Sequence, residues 1–152
     1  MRAFRSCLLI AALLLIAGCA TFNAPAPQPA AVAAMPSSIP ADQFVGNWGL
    51  GAYHQEAARA RTETAARSQC RNPYKIAQGP TGGVMMHLAD SRELSELRLK
   101  GGPGGKNYIG PDGPVAEADR EIISFDGKVM VLRWLDPDAA SRFGTMIYVR
   151  CR

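Results

Sequence analysis

Apolar and polar positions divide the chain into three regimes. Cys7 to Ile16 is an unbroken apolar run of ten residues, preceded by Arg2 and Arg5 and followed by the small pair Ala17 and Gly18. Such a run is too short to span a bilayer and has the length and flanks of a signal-peptide core. Residues 20–41 show no periodicity; they hold Pro25, Pro27, Pro29, Pro36 and Pro40, many alanines and no charge. That composition favours extended, polyproline-like backbone and cannot bury a core. It reads as a tether, reaching some tens of Å at about 3 Å per residue. From Asp42 to Arg152 the pattern changes to short runs separated by Gly, Pro and Asp, as expected of a single strand-rich domain.

Within that domain Phe44 to Leu50 reads as the first strand, with glycines that permit tight curvature or a bulge. Ala52 to Ser68 is rich in Ala, Glu and Arg, and Glu63 and Arg67 have the i,i+4 spacing that supports a helix. Its apolar positions are nearly all alanine, so it can lie close to a sheet but buries little. Tyr74 to Gln78 and Val84 to Ala89 flank a Gly/Pro-rich link suited to a hairpin. Leu94 to Lys100 alternates, and Glu121 to Phe125 and Lys128 to Leu135 flank Asp126-Gly127, the strongest hairpin signal in the chain. Asp136 to Arg142 reads as a loop or helical turn. Thr145 to Cys151 reads as a last strand, with Met146, Tyr148 and Cys151 on one side. The expected fold is mainly β: a small antiparallel β-barrel or sandwich of six to eight strands, with one Ala-rich helix after the first.

Charge narrows the partners. The formal net charge is +4, and two of those charges belong to Arg2 and Arg5. The remaining basic residues, such as Arg59, Lys75, Arg98, Lys106 and Arg133, are scattered rather than blocked, which argues against nucleic acid as a partner.

The segment Ile16-Ala17-Gly18-Cys19 resembles the lipobox of bacterial lipoproteins, with apolar run, small pair and cysteine in the same order. The resemblance implies that the Cys19 thiol carries a diacylglyceryl group, that cleavage follows Gly18, and that the new amino group is acylated. Several acyl chains on one residue anchor a protein firmly, whereas one does so only marginally. By the same resemblance, Ala20 rather than Asp after the cysteine leans toward the outer membrane, with the domain on its periplasmic face; the inner membrane and the cell surface are the alternatives. In that oxidising compartment Cys7 leaves with the signal and Cys19 is lipidated. Cys70 and Cys151 then remain as an even pair that reads as one disulfide. The alternative, a redox or metal pair, finds no Cys-x-x-Cys in the chain.

Candidate chemistry is sparse. His54 and His87 lie far apart, without ligand-spaced partners, so no metal site is expected. Gly101 to Lys106 invites a phosphate-loop reading, but Lys106 precedes Asn107 rather than Ser or Thr, and the glycine spacing fits neither nucleotide template. No cofactor is expected. No Gly-x-Ser-x-Gly occurs and no catalytic residue is marked, so a non-catalytic protein is expected. The irregular stretch from Gly101 to Pro114 is long for a compact domain. Its Gly104, Gly105, Lys106, Asn107 and Tyr108 form the candidate contact loop.

Gly46-x-Trp48 on the first strand, the Pro-rich tether and one disulfide are similar to small periplasmic β-barrel inhibitors, of metalloproteases or of lysozyme. The chain departs from the metalloprotease type in that Cys70 follows Trp48 by 22 residues, with a helix between, rather than closely. The leading expectation is an envelope lipoprotein whose β-domain binds an envelope protein or peptidoglycan, or helps maintain the outer membrane. The alternative is an inhibitor of lysozyme or a secreted protease; a periplasmic hydrolase comes last.

Overall fold

The computed structural model describes residues 35–152; the signal-like segment, Cys19 and most of the tether lie outside the described residues. The strands are β1 (Met35–Pro36), β2 (Gly46–Tyr53), β3 (Tyr74–Gln78), β4 (Val84–His87), β5 (Leu94–Gly101), β6 (Asn107–Gly110), β7 (Arg120–Phe125), β8 (Val129–Trp134) and β9 (Thr145–Arg150). The two α-helices are α1 (Arg59–Ser68) and α2 (Pro137–Phe143).

From β2 to β9 each strand pairs antiparallel with its sequence neighbours, and β9 returns to pair with β2. The result is a closed, up-and-down barrel of eight strands with no free edge. β5 is the long stave: Leu94 to Leu97 pair with β4, whereas Arg98 to Gly101 pair with β6. The side of β5 that β4 leaves unpaired is taken by β1, through Met35↔Gly101 and Pro36↔Lys100. The folded body therefore extends to residues that composition assigned to the tether. Ser37 and Ser38 fix them further by hydrogen bonds to the Asn107 side chain at 2.8–3.2 Å.

An eight-stranded barrel is just wide enough for its inward side chains to fill. Here they form the main core, with Trp48, Ile76, Met86, Leu97, Met130 and Tyr148 among them. A second, smaller core lies outside the wall. It holds Tyr53, Val131, Ile147 and Val149 against Ala66 of α1. β8 and β9 are thus buried on both faces, which is why Val129-Met130-Val131-Leu132 reads as a continuous apolar run. The parity of β9 corrects one expectation: Cys151 does not share the inward side of Met146 and Tyr148. It lies on the helix side, where it is bonded to Cys70 just past α1, with the Cα atoms 5.5 Å apart. This disulfide closes a loop 81 residues long, worth about 4–5 kcal/mol in the chain-entropy model.

Two further elements differ from the sequence reading. β2 runs on to Tyr53, where Gly51, Ala52 and Tyr53 pair with β9, so the helical segment starts only at Glu56. The stretch read as one long irregular loop contains β6. Four residues flanked by glycines and prolines carry too little pattern to mark a strand, yet Asn107 to Gly110 close the barrel between β5 and β7. The Asp136 segment is a true helix. The Asp136 side chain accepts the Ala139 N–H at 2.9 Å, Pro137 sits in the first turn, and Gly144 ends the helix.

Candidate functional site

The two ends of the barrel are built differently. At one end the chain plugs itself. Trp48 is fully buried and its Nε1 donates to Phe44 O at 2.8 Å, while Phe44 stacks on Phe125 with centroids 5.0 Å apart. Arg150 lies over the Trp48 ring at 4.2 Å. Its guanidinium donates to the carbonyls of Gly127 (2.6 Å), Val45 (3.1 Å) and Gln43, tying three segments across the end. The Gly46-x-Trp48 motif is thus part of a plug. Tight hairpins close this end, and Glu96 and Asp126 serve them as acceptors for backbone N–H groups.

The opposite end holds a cavity of about 430 Å³. Its apolar wall comes from Leu50, Leu88, Phe143 and Met146. Tyr74, Tyr148 and Trp134 also line it, and the β4–β5 loop contributes Asp90, Ser91 and Arg92. A pocket of this size, mostly apolar with a few convergent polar groups, has the dimensions of a small-molecule site.

The polar groups are held in place. Tyr74 Oη accepts the His87 backbone N–H at 3.0 Å and lies 3.1 Å from His87 Nδ1. Burial pushes the Tyr74 hydroxyl above its ordinary range, with the His87 backbone hydrogen bond and the Arg120 cation acting against it. Burial pushes Tyr148 up to about 12, again against the pull of Arg120, so both phenols stay protonated at physiological pH. No serine in the pocket is set up as a nucleophile: Ser91 Oγ donates to Glu93 O at 3.0 Å rather than to His87.

Arg120 is the unusual member. It opens β7 opposite Trp134 and shares the inward parity of Ile122, so a cation points into the barrel. It is 1% exposed. Nη2 donates to His87 O at 3.1 Å and the guanidinium lies 4.6 Å from the centre of the Trp134 ring. Among the described residues no carboxylate comes within ion-pair distance of it, and Nε, like Trp134 Nε1, is buried with no hydrogen-bond partner. Buried donors are nearly always paired, and a buried charge is costly without a counter-charge. Two orphaned donors beside one cavity therefore mark a local departure from the usual rule.

The rim is clamped. Arg142 of α2 grips Asp90 of the β4–β5 loop with two hydrogen bonds of 2.6 Å. That bidentate bond, and then the Arg142 charge, hold the Asp90 carboxyl below its usual range despite the opposing effect of desolvation. Asp90 reaches the pair with φ of 60°, a left-handed conformation that Asp tolerates better than most residues.

The contact loop proposed from sequence lies at the plugged end, away from this cavity. Gly104 and Gly105 form an open turn, while Lys106 pairs with Glu121 at 3.0 Å. Asn107 is engaged by Ser37 and Ser38, and Tyr108 pairs with Lys100 and Glu121 within the wall. The five residues are contiguous, but most of their polar groups are already used internally. Cys70 and Cys151 are joined as expected, and Cys19 is outside the described residues. Sequence reasoning missed Arg120, Trp134 as a cavity residue, and the Asp90–Arg142 clamp. The one available signal was the charge at Arg120, two places before Ile122 on the inward parity. Among the described residues no group of His, Cys, Asp and Glu is arranged to hold a metal ion, and no helix is long and apolar enough to cross a membrane.

No family model, curated protein or solved structure matches this chain.

Proposed function

We propose that the chain is an envelope lipoprotein, anchored through acylated Cys19, whose barrel is a non-catalytic binding module that takes its ligand at the open end. The anchor rests on the lipobox-like segment Ile16-Ala17-Gly18-Cys19 and on the Pro/Ala-rich tether that follows it. One observation carries the binding reading: the two barrel ends are unequal. One is stapled shut by Trp48, Phe44, Phe125 and Arg150. The other keeps a cavity of about 430 Å³ whose rim is fastened by the Asp90–Arg142 pair. A closed wall with a preformed, mostly apolar opening suits binding, because little ordering is needed when a ligand enters. The groove of about 380 Å³ beside Gly104 to Asn107 at the other end lies outside the plug and is lined largely by polar and glycine residues. Ser91, the serine that lines the cavity, donates to Glu93 O rather than facing a base, which favours a binding reading over a serine hydrolase there.

Two measurements test the reading. The full chain, expressed in a bacterial envelope, is labelled with palmitate; labelling that is lost in Cys19→Ser supports the anchor, and a C19S form processed and located like wild type refutes it. Native mass spectrometry of the protein released gently from membranes is expected to show a stoichiometric small-molecule adduct. Met146→Trp, which fills the cavity, is expected to remove it. An adduct unchanged by M146W, or none in either protein, overturns the open end as the binding face.

A further inference from the structure

Resting on the open-end binding site just described, we propose that the ligand is an organic monocarboxylate with an apolar body, its head seated against Arg120 and its body lying along Leu50, Leu88 and Met146. The charges around the cavity favour an anion. Asp90, Arg92 and Arg120 are the charged lining residues, and the one carboxylate among them is already taken by Arg142 at 2.6 Å on both oxygens. Neither Arg92 nor Arg120 has an ion-pair partner among the described residues. The cavity therefore has two cations without a counter-charge, Arg92 at its exposed side and Arg120 buried in its wall, and no free carboxylate.

Depth favours a carboxylate with an apolar body over a hydrated inorganic anion. Arg120 is 1% exposed, on an inward-facing position of β7, and one of its nitrogens is fixed by His87 O at 3.1 Å. Its Nε remains without a partner, as does Trp134 Nε1 beneath the guanidinium. A guanidinium is a fork of donors that matches the two oxygens of a carboxylate, and Arg is preferred over Lys for such planar recognition. To reach it, a ligand must exchange its hydration for the apolar and aromatic wall of Leu50, Leu88, Phe143 and Met146. A molecule with an apolar body gains from that exchange, at roughly 25 cal/mol per Å² buried, whereas a small hydrated anion loses. The polar rim residues Ser91 and Arg92 stand where the outer end of such a ligand would emerge.

The test uses the full chain and three twelve-carbon probes below their aggregation concentrations: dodecanoate, dodecanol and dodecyltrimethylammonium. Calorimetry and tryptophan fluorescence are expected to report one dodecanoate per chain, with Trp134 emission changed. Dodecanol is expected to bind at least tenfold more weakly and the cationic probe more weakly still. Arg120→Met is expected to abolish the preference for dodecanoate over dodecanol while its melting curve shows that it folds. The comparison of probes on the wild-type chain stands even if R120M does not fold. Equal binding of acid and alcohol to wild type overturns the carboxylate assignment while leaving the open end as the binding face. Failure of all three probes, with the native adduct still present, overturns the proposed ligand class alone. Failure of all three with no native adduct overturns both readings.

Discussion

Lys100 and Asp119 form an ion pair that is almost wholly removed from solvent: Nζ lies 2.8 and 2.9 Å from the two carboxylate oxygens, and the residues are 3% and 0% exposed. Each partner is also satisfied locally. Lys100 donates to Pro114 O at 3.1 Å, and Asp119 accepts the Ala116 N–H at 2.8 Å. The pair therefore pins the 111–119 segment to β5, immediately before Arg120 enters the barrel.

Removing one partner of such a pair strands the other charge out of water, which costs about 3–5 kcal/mol. Asp119→Ala is expected to lower the melting temperature by roughly 10–20 °C, given the usual few degrees per kcal/mol for domains near this size. The double variant Lys100→Met, Asp119→Leu, which leaves no orphaned charge, is expected to recover most of that loss. Thermal unfolding followed by circular dichroism measures both. A loss in D119A no larger than that of the double variant would mean that the pair is not isolated from water.

Gly49 sits under α1. A methyl group there would lie 1.9 Å from the Ala66 carbonyl oxygen and 3.4 Å from Cys70 Sγ. The nearest obstacle is helix backbone, so no side-chain rotation relieves it, and α1 must move away from β2. Gly49→Ala is expected to destabilise by about 1–3 kcal/mol, the range for forced overpacking. Because the displaced helix leads into Cys70, G49A is also expected to speed reduction of the disulfide by dithiothreitol. Wild-type stability and reduction rate in G49A would refute the close approach.

Those two relationships show what the sequence reveals and what it hides. Antiparallel β class, the hairpin at Asp126-Gly127 and the α1 segment are visible because they rest on local signals: turn chemistry, alternation and helix-forming composition. The pairing of Cys70 with Cys151 follows from counting once Cys19 is assigned to lipid. β6 is hidden because its strand character comes from both neighbours, β5 and β7, and not from its own four residues. Gly46-x-Trp48 is visible as a motif, but its meaning depends on Arg150, more than a hundred positions later, whose Nη1 would sit 2.7 Å from any Cβ at Gly46. The cavity is the least legible feature. Arg120, Trp134 and His87 meet only through barrel closure, and each looks like an ordinary surface or core residue in its own segment.

Acid should loosen the plugged end. Glu96 spans the turn between β3 and β4: it accepts the Thr81 hydroxyl at 2.6 Å and the Gly83 N–H at 2.7 Å. The Thr81 hydroxyl bond is the largest influence holding its carboxyl below the ordinary 4.5, aided by the backbone donors and Arg98. Asp126 accepts the Val129 N–H at 2.6 Å and the Lys128 N–H at 2.8 Å in the turn between β7 and β8. The Val129 bond, then that of Lys128, lower its carboxyl from 3.8. Both folded values lie below the unfolded ones, so the unfolded chain binds more protons as pH falls. The contribution of these bonds is therefore complete above about pH 5. It declines as pH drops through the ordinary carboxylate values and is gone below the depressed folded values. The double variant Glu96→Gln, Asp126→Asn cannot titrate at either site. It is expected to melt lower than wild type at pH 7 and to lose less in melting temperature between pH 5 and pH 3. Since Arg150 donates to Gly127 O at 2.6 Å, loosening of the Asp126 turn should reach the Trp48 plug. The acid-induced change in wild-type tryptophan fluorescence is expected to precede global unfolding and to be absent from the variant. Parallel melting-temperature profiles for the two proteins from pH 7 to pH 3 would show that these carboxylates do not govern the acid response.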